Sequence, residues 1–210
     1  TIDIEDWFQV ENLRPWFPPV KWDNQQLRVE KNTRRLLDLF DTFDFPVKST
    51  FFILGWVAER CPDLVREIAG RGHEIGSHGY SHMLCNQLDQ KSLLEDLVKS
   101  KQLLENITDT EVTGYRAPSF SINDDILDLI YKAGSLYDSS YNSFPMHGRY
   151  GSISGNSSRK KGTAFRLTSN LIELPISNLE LAGKILPWGG GGYFRFLPFK
   201  LFTAGIRRIL

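Results

Sequence analysis

Residues 47–54 form a near-continuous apolar run, with Thr50, Phe51, Phe52 and Ile53 at its centre. A strand that is apolar on both faces has to be covered on both faces, and that is the situation of a buried parallel strand. The rest of the chain repeats the theme of short strand-like runs separated by helical patterns. Residues 1–7 alternate apolar and acidic side chains, so Ile2 and Ile4 share one face of a strand while Asp3 and Glu5 share the other. Asp6 falls where the chain can turn. Residues 25–43 read as a helix with Leu27, Leu36, Leu37, Leu39 and Phe40 on its apolar side. A second helical stretch covers 59–69 and begins afresh at Pro62. Further strands are expected at 73–76, 112–115 and 136–138, and further helices at 91–104 and 124–133, the last stopped by Gly134. Strand alternating with helix predicts an α/β fold with a parallel sheet, open or closed into a barrel.

The connecting segments are less regular. Pro15, Pro18 and Pro19 exclude regular structure from the loop after the first strand. The loop aromatics Trp7, Phe8, Trp16, Phe17 and Trp22 either pack in the core or line a sugar-binding cleft. Residues 142–163, rich in Gly, Ser, Arg and Lys, read as a long loop. Residues 164–167 and 171–174 look like paired short strands. The four glycines at 189–192 are followed by Tyr193, Phe194 and Arg195 and read as a close-packed turn over substrate rather than a phosphate cradle.

Composition narrows the functional classes. Lys plus Arg equals Asp plus Glu, 25 each, so the chain has no basic excess of the kind a nucleic-acid partner requires. No stretch of about 18 apolar residues offers a membrane span, and no signal peptide is visible. Cys61 and Cys85 form no metal motif and are expected to be two unpaired thiols.

Chemistry enters after the strands. Ser77-His78-Gly79-Tyr80-Ser81-His82 places two histidines four apart, a spacing that puts both imidazoles on one side of a helical turn. Neutral imidazole is a common ligand for zinc-like ions. Asp3, Glu5, Asp6, Arg116 and Asp138 likewise follow strands, and sites in such folds sit at the carboxyl ends of the strands. Two histidines and a carboxylate around one divalent ion is a hydrolytic pattern, and a second carboxylate off the metal can take a proton from water. The cluster of Asp3, Glu5 and Asp6 can supply both carboxylates, Arg116 can orient the base through a two-pronged pair, and the backbone N–H after Pro118 can face a developing oxyanion.

These stretches resemble the polysaccharide deacetylase family, the NodB-homology carbohydrate esterases. The histidine motif with its lead-in Gly72-His73-Glu74-Ile75-Gly76, the run Thr50-Phe51-Phe52 and the triplet Arg116-Ala117-Pro118 match that family's motifs. The opening Asp3-Ile4-Glu5-Asp6-Trp7-Phe8, with Tyr137-Asp138-Ser139-Ser140 and the glycine run, is similar to the branch found beside bacterial exopolysaccharide gene clusters. The resemblance covers essentially the whole chain. It implies a distorted (β/α) barrel as a single domain over 1–210, in a bacterial protein of the cytoplasm or cell envelope. It also implies metal-dependent removal of N-acetyl, less often O-acetyl, groups from a sugar polymer. Carried over residue by residue, it makes Asp3 the base and Arg116 its partner. The metal ligands become His78, His82 and one acid: Glu5, in phase with Asp3, or Asp6 if the strand ends early. Zinc is the ion expected from a nitrogen-rich set. Pro118, Ser119, Asp138, His147 and Tyr193 form the expected substrate-binding set. The family's late-strand histidine acid has no counterpart here, so the chain reads as cut short of its last strand. A glycan-binding protein of the same fold, and a hydrolase of another C–N bond such as a deformylase, stand as alternatives.

Overall fold

The computed structural model describes residues 1–144, 150–154, 164–167 and 170–209. Seven strands make one sheet: β1 (Ile2–Ile4), β2 (Thr50–Ile53), β3 (Glu74–Ser77), β4 (Gly114–Tyr115), β5 (Tyr137–Asp138), β6 (Phe165–Arg166) and β7 (Ile172–Glu173). Their order is β1-β2-β3-β4-β5-β7-β6. All pair in parallel except β6, which runs antiparallel to β7. Helices α1 (Val29–Asp41), α2 (Gly55–Arg60), α3 (Pro62–Gly70), α4 (Gln90–Thr108) and α5 (Asp124–Lys132) fill the crossovers. This is the expected α/β architecture. Among the described residues the ring is not closed, and β1 and β6 stand at its two ends. A hairpin of β8 (Leu179–Leu181) and β9 (Lys184–Leu186) follows, turning through Ala182 and Gly183, both at positive φ as a two-residue hairpin requires. Then come α6 (Gly191–Phe196) and α7 (Phe199–Ile209). No helix among the described residues is long and apolar enough to cross a membrane.

Helix boundaries differ from the local pattern where a remote group decides them. The helix expected at 25–43 starts at Val29, because one carboxylate oxygen of Asp6 accepts the N–H groups of Arg28 (2.6 Å) and Val29 (3.0 Å). The three prolines do not exclude regular structure before it: 3-10 turns form at Glu11–Leu13 and Pro19–Asn24, the latter with Pro19 in its first position. The glycine run is not only a turn, since Gly191 opens α6. Elsewhere the local signals hold. Asp89 caps α4, Asn123 caps α5, and Gly134 ends α5 at φ +90°.

The two sheet faces have different tasks. The outward row packs on the helices: Ile4, Phe51 and Ile53 meet Leu37, Leu64 and Ile68, while Tyr115 meets Leu93, Leu97 and Ile130. Phe8 and Trp22 join this core against Trp56, so they line no cleft. On the inward face one register row runs Asp3, Phe52, Gly76, Gly114, Tyr137. Its glycines leave room for rings: a methyl at Gly76 would lie 2.6 Å from Phe52, and one at Gly114 2.2 Å from Tyr137. The thiols of Cys61 and Cys85 are free and buried.

Asp138 and Glu173 face each other across β5 and β7, both wholly buried. Asp138 accepts from Ser140 N (3.0 Å) and Ser140 Oγ (2.7 Å), and Glu173 Oε1 accepts from Tyr141 N (2.9 Å). Asp138 is therefore an internal strut, not the substrate contact expected from its place at a strand end. Burial, and then the facing Asp138 carboxylate, push the Glu173 carboxyl up to about 11. Its proton is kept in the folded state and released in the unfolded chain above the ordinary glutamate range. The sign is unfavourable: stability falls as pH rises above the ordinary glutamate range, where the unfolded chain releases the proton that the folded chain keeps. Glu173→Gln, a neutral donor of the same shape, is expected to flatten that decline between pH 6 and 9. Urea midpoints at three pH values measure it, and parallel slopes in the two proteins would refute a proton held on Glu173.

Candidate metal centre

The parallel register delivers the polar groups to one end of the sheet. Glu5 follows β1, His78 follows β3, Arg116 follows β4 and Ser139 follows β5. A ligand atom from each of Glu5, His78 and His82 lies within 4.8 Å of the others. The histidine segment is not the helical turn its spacing suggests. Residues 78–82 form an irregular loop with Gly79 at φ 73° and His82 at φ 53°, and the two rings stand 5.3 Å apart.

The donor set fits a metal ion. Both histidines are only 3% exposed. His78 Nδ1 lies 2.7 Å from the carbonyl of Arg116, an acceptor only, so Nδ1 carries the proton and Nε2 keeps its lone pair. Burial holds the His78 pKa below the ordinary imidazole value, which favours the neutral ligand form. His82 Nε2 lies 2.5 Å from Glu5 Oε2, yet that oxygen has no aligned hydrogen-bond donor, and His82 Nδ1 also lacks a partner. Buried polar atoms of this kind are rare unless an ion or water satisfies them. Burial opposes ionisation of Glu5, but the contact with His82 and the fields of both histidines outweigh it and leave its pKa below the usual carboxylate value.

Asp6 takes no part in this cluster. Besides capping α1, it accepts the N–H of Trp7 (2.8 Å), and its own N–H is bound by Gln9. The alternation of β1 turns it away from the face that carries Asp3 and Glu5. Of the two acids considered as ligands, the structure brings only Glu5 to the histidines.

Asp3 stands beside the cluster, its side chain 31% exposed, with Oδ1 2.8 Å from Arg116 Nη1. This pair is single-pronged, not the two-pronged one expected. The other guanidinium nitrogens are used by Ser139: Nε donates to its carbonyl and Nη2 to its hydroxyl, both at 2.9 Å. The guanidinium also lies over the Phe52 ring, 4.2 Å from its centre. Ser139 was missed by the sequence reading, and its position just after a strand was the available signal.

A cavity of about 220 Å³ opens on Asp3, Glu5, His78, His82, Ser119 and Phe120. Ser119 and Phe120 both have left-handed backbones, at φ 50° and 57°. Pro118 is buried behind them, with Ser121 Oγ bound to its carbonyl, so it shapes the wall without facing the cavity. A larger cavity of about 810 Å³ is lined by Arg116, Ser139, Asn178 and Tyr193. Phe120 and Tyr150 line both. His73 packs against Phe40 and Phe51, away from the site. His147 lies outside the described residues.

Comparison with known proteins agrees with the fold. The chain is 38% identical over 106 residues to a peptidoglycan deacetylase-like protein, FGM2, of Gibberella zeae, which covers 50% of this chain and 31% of that protein. It is 35% identical over 106 residues to a peptidoglycan deacetylase of Helicobacter pylori, 50% of this chain and 36% of that one. The chain thus spans about a third of the length of these curated relatives. A crystal structure from Mycobacterium smegmatis, assigned to the polysaccharide deacetylases, superposes over 97% of this chain and 71% of that chain with a TM-score of 0.62 at 24% identity, which speaks for the fold. Residues 139–210 match a domain of unknown function, DUF3473. Residues 20–137, more than half of the sequence, match the family described as polysaccharide deacetylase, and the chain belongs to that family.

Proposed function

We propose that this chain carries the active site of a metal-dependent hydrolase that removes N-acetyl or O-acetyl groups from a bacterial extracellular polysaccharide or its precursor. The observation that carries the reading is the convergence of Glu5, His78 and His82 in the same small cavity as an Asp3 held by Arg116. Two nitrogens and one oxygen suit zinc among the common divalent ions. A divalent ion held there supplies Lewis acidity, making water more acidic and a carbonyl more electrophilic.

The remaining tasks fall to the chain. Asp3 is the proton acceptor: it is off the ligand cluster, partly exposed to the cavity, and fixed in direction by Arg116. Ser119 sits in the cavity wall directly after Pro118, and its backbone N–H is the donor proposed for the developing oxyanion. The larger cavity would take the flanking sugars, with Phe120, Tyr150 and Tyr193 offering ring faces and Asn178 a polar edge. We read residues 1–210 as one functional unit, since β7 pairs with β5 across the boundary between the two matched segments. The direct test is acetate release from N-acetylglucosamine oligomers and O-acetylated glycans by zinc-loaded protein. Metal and glycan binding without turnover would favour a binding protein of this fold, and turnover only on formylated amines would favour a deformylase.

Ligand and base roles separate by substitution. Glu5→Gln, or His78→Ala with His82→Ala, is expected to abolish stoichiometric zinc in metal analysis. Asp6→Ala should keep the zinc and lose about 1–3 kcal/mol of stability through the lost caps. Zinc retained by Glu5→Gln and lost by Asp6→Ala would reverse the assignment. Asp3→Asn should retain zinc while turnover falls roughly 10²-fold or more, the scale of general-base loss. A zinc-free Asp3→Asn protein would make Asp3 a ligand instead. Arg116→Lys, whose ammonium cannot span Asp3 and both Ser139 acceptors, should also retain zinc and lose about 10- to 100-fold in turnover. Wild-type turnover in that variant would show that charge alone suffices.

A further inference from the structure

We propose that Arg14, from the loop after β1, is a positioning residue that locks the ligand His82 in the backbone geometry the metal site needs. The proposal rests on the reading of Glu5, His78 and His82 as metal ligands. His82 holds φ 53°, a left-handed conformation that is uncommon for a residue with a Cβ and costs free energy that its surroundings have to offset. Arg14 is placed to hold it there. Its Nη2 donates to the carbonyl of His82 (2.5 Å), its Nη1 meets Met83 Sδ (2.8 Å), and its Nε donates to Glu11 Oε2 (2.7 Å). A planar guanidinium held at three corners has little freedom left. Both side chains of the supporting ion pair are largely buried, at 19% and 13% exposure.

The connection joins two parts of the site that are far apart in sequence. Arg14 follows the 3-10 turn Glu11–Leu13, on the segment that leaves β1 just after Asp3 and Glu5. Its bond to His82 therefore ties the segment leaving β1, which bears the carboxylate ligand, to the loop bearing the imidazole ligand. On the opposite side of that loop, Asp96 of α4 accepts Tyr80 N (2.7 Å), Ser81 N (3.0 Å) and Ser81 Oγ (2.5 Å). Residues 80–83 are gripped between the two. With Arg14 removed, the Asp96 contacts still hold the start of the segment, but nothing equivalent holds the carbonyl of His82. The ligand would then have to be ordered by the ion itself, and affinity would fall.

Outer-shell groups that orient ligands typically change metal affinity about 10- to 100-fold. Zinc dissociation constants, measured by competition with a chromophoric chelator, are expected to rise by that factor in Arg14→Ala. The melting temperature of the metal-free protein should fall by no more than about 3 °C. Arg14→Lys, which can reach the carbonyl but not also Met83 and Glu11, should lie between the two and serves if the alanine protein does not fold. A wild-type protein that binds no zinc would remove the metal reading and this proposal with it. Tight zinc binding by wild type, and equally tight binding by the folded variant, would refute the role of Arg14 alone.

Discussion

The bond from His78 Nδ1 to the carbonyl of Arg116 joins the two halves of the site. It sets the tautomer of one proposed ligand, and it does so through the backbone of the residue whose side chain holds the proposed base. The arrangement depends on parallel pairing. Arg116 N donates to Ser77 O at 2.9 Å, continuing the β3–β4 ladder one step past its last register pair. That step fixes the height of Arg116 relative to His78. Three anchors then fix its guanidinium: the carbonyl and hydroxyl of Ser139, and the face of Phe52. Only one of its edges is left for Asp3. A surface arginine could meet an aspartate in many geometries, whereas this one has a single place to present it.

Much of this was legible because parallel strands impose a period of two. Asp3 and Glu5 had to share a face once Ile2 and Ile4 faced the core, and the polar residues after β3 and β4 had to arrive at the same end of the sheet. What local pattern could not show was set by contacts between distant residues. Asp6 looks like a third acid of the cluster, but Arg28 and Val29, more than twenty positions away, claim its carboxylate. The same contact moves the start of α1. Asp138 looks like a site residue until Glu173 is placed opposite it across the sheet. The histidine spacing pointed to the pair that the structure brings together with Glu5 but misjudged its backbone, since a loop through Gly79 and His82 at positive φ brings the rings together without a helical turn.

The match to the deacetylase family ends at residue 137, and the match to the domain of unknown function begins at 139. Strand pairing and hydrogen bonds cross that boundary. β5 contains Tyr137 and Asp138, β7 extends the sheet beyond it, and Ser140 Oγ accepts the N–H of Ala117 on the deacetylase side. Ser139, the first residue of the second match, carries two of the three hydrogen bonds of the Arg116 guanidinium. Its hydroxyl in turn donates to Leu174 O next to β7. The orientation of Arg116 is therefore determined jointly by both segments, and a boundary drawn by sequence similarity cuts through the support of a single side chain.

The balance of charge at the site differs from that of the whole. The chain is formally neutral, with 25 basic and 25 acidic residues. Within the small cavity, Asp3 and Glu5 are carboxylates, Arg116 stands behind as one cation, and imidazoles acting as ligands are neutral. One negative charge is left in excess, concentrated on Glu5 beside unpartnered ligand atoms. Low-dielectric walls strengthen such a field, which favours a cation at the cluster. A divalent cation would turn the excess to one positive charge in the same small volume. That sign suits a reaction in which negative charge develops on a carbonyl oxygen, with Asp3 held beside Arg116 as the proposed proton acceptor. A further cation in place of a neutral imidazole, or a second uncompensated acid such as Asp6 turned inward, would upset this balance. The β1 pleat and the Asp6 cap exclude the second case by directing that carboxylate to the start of α1.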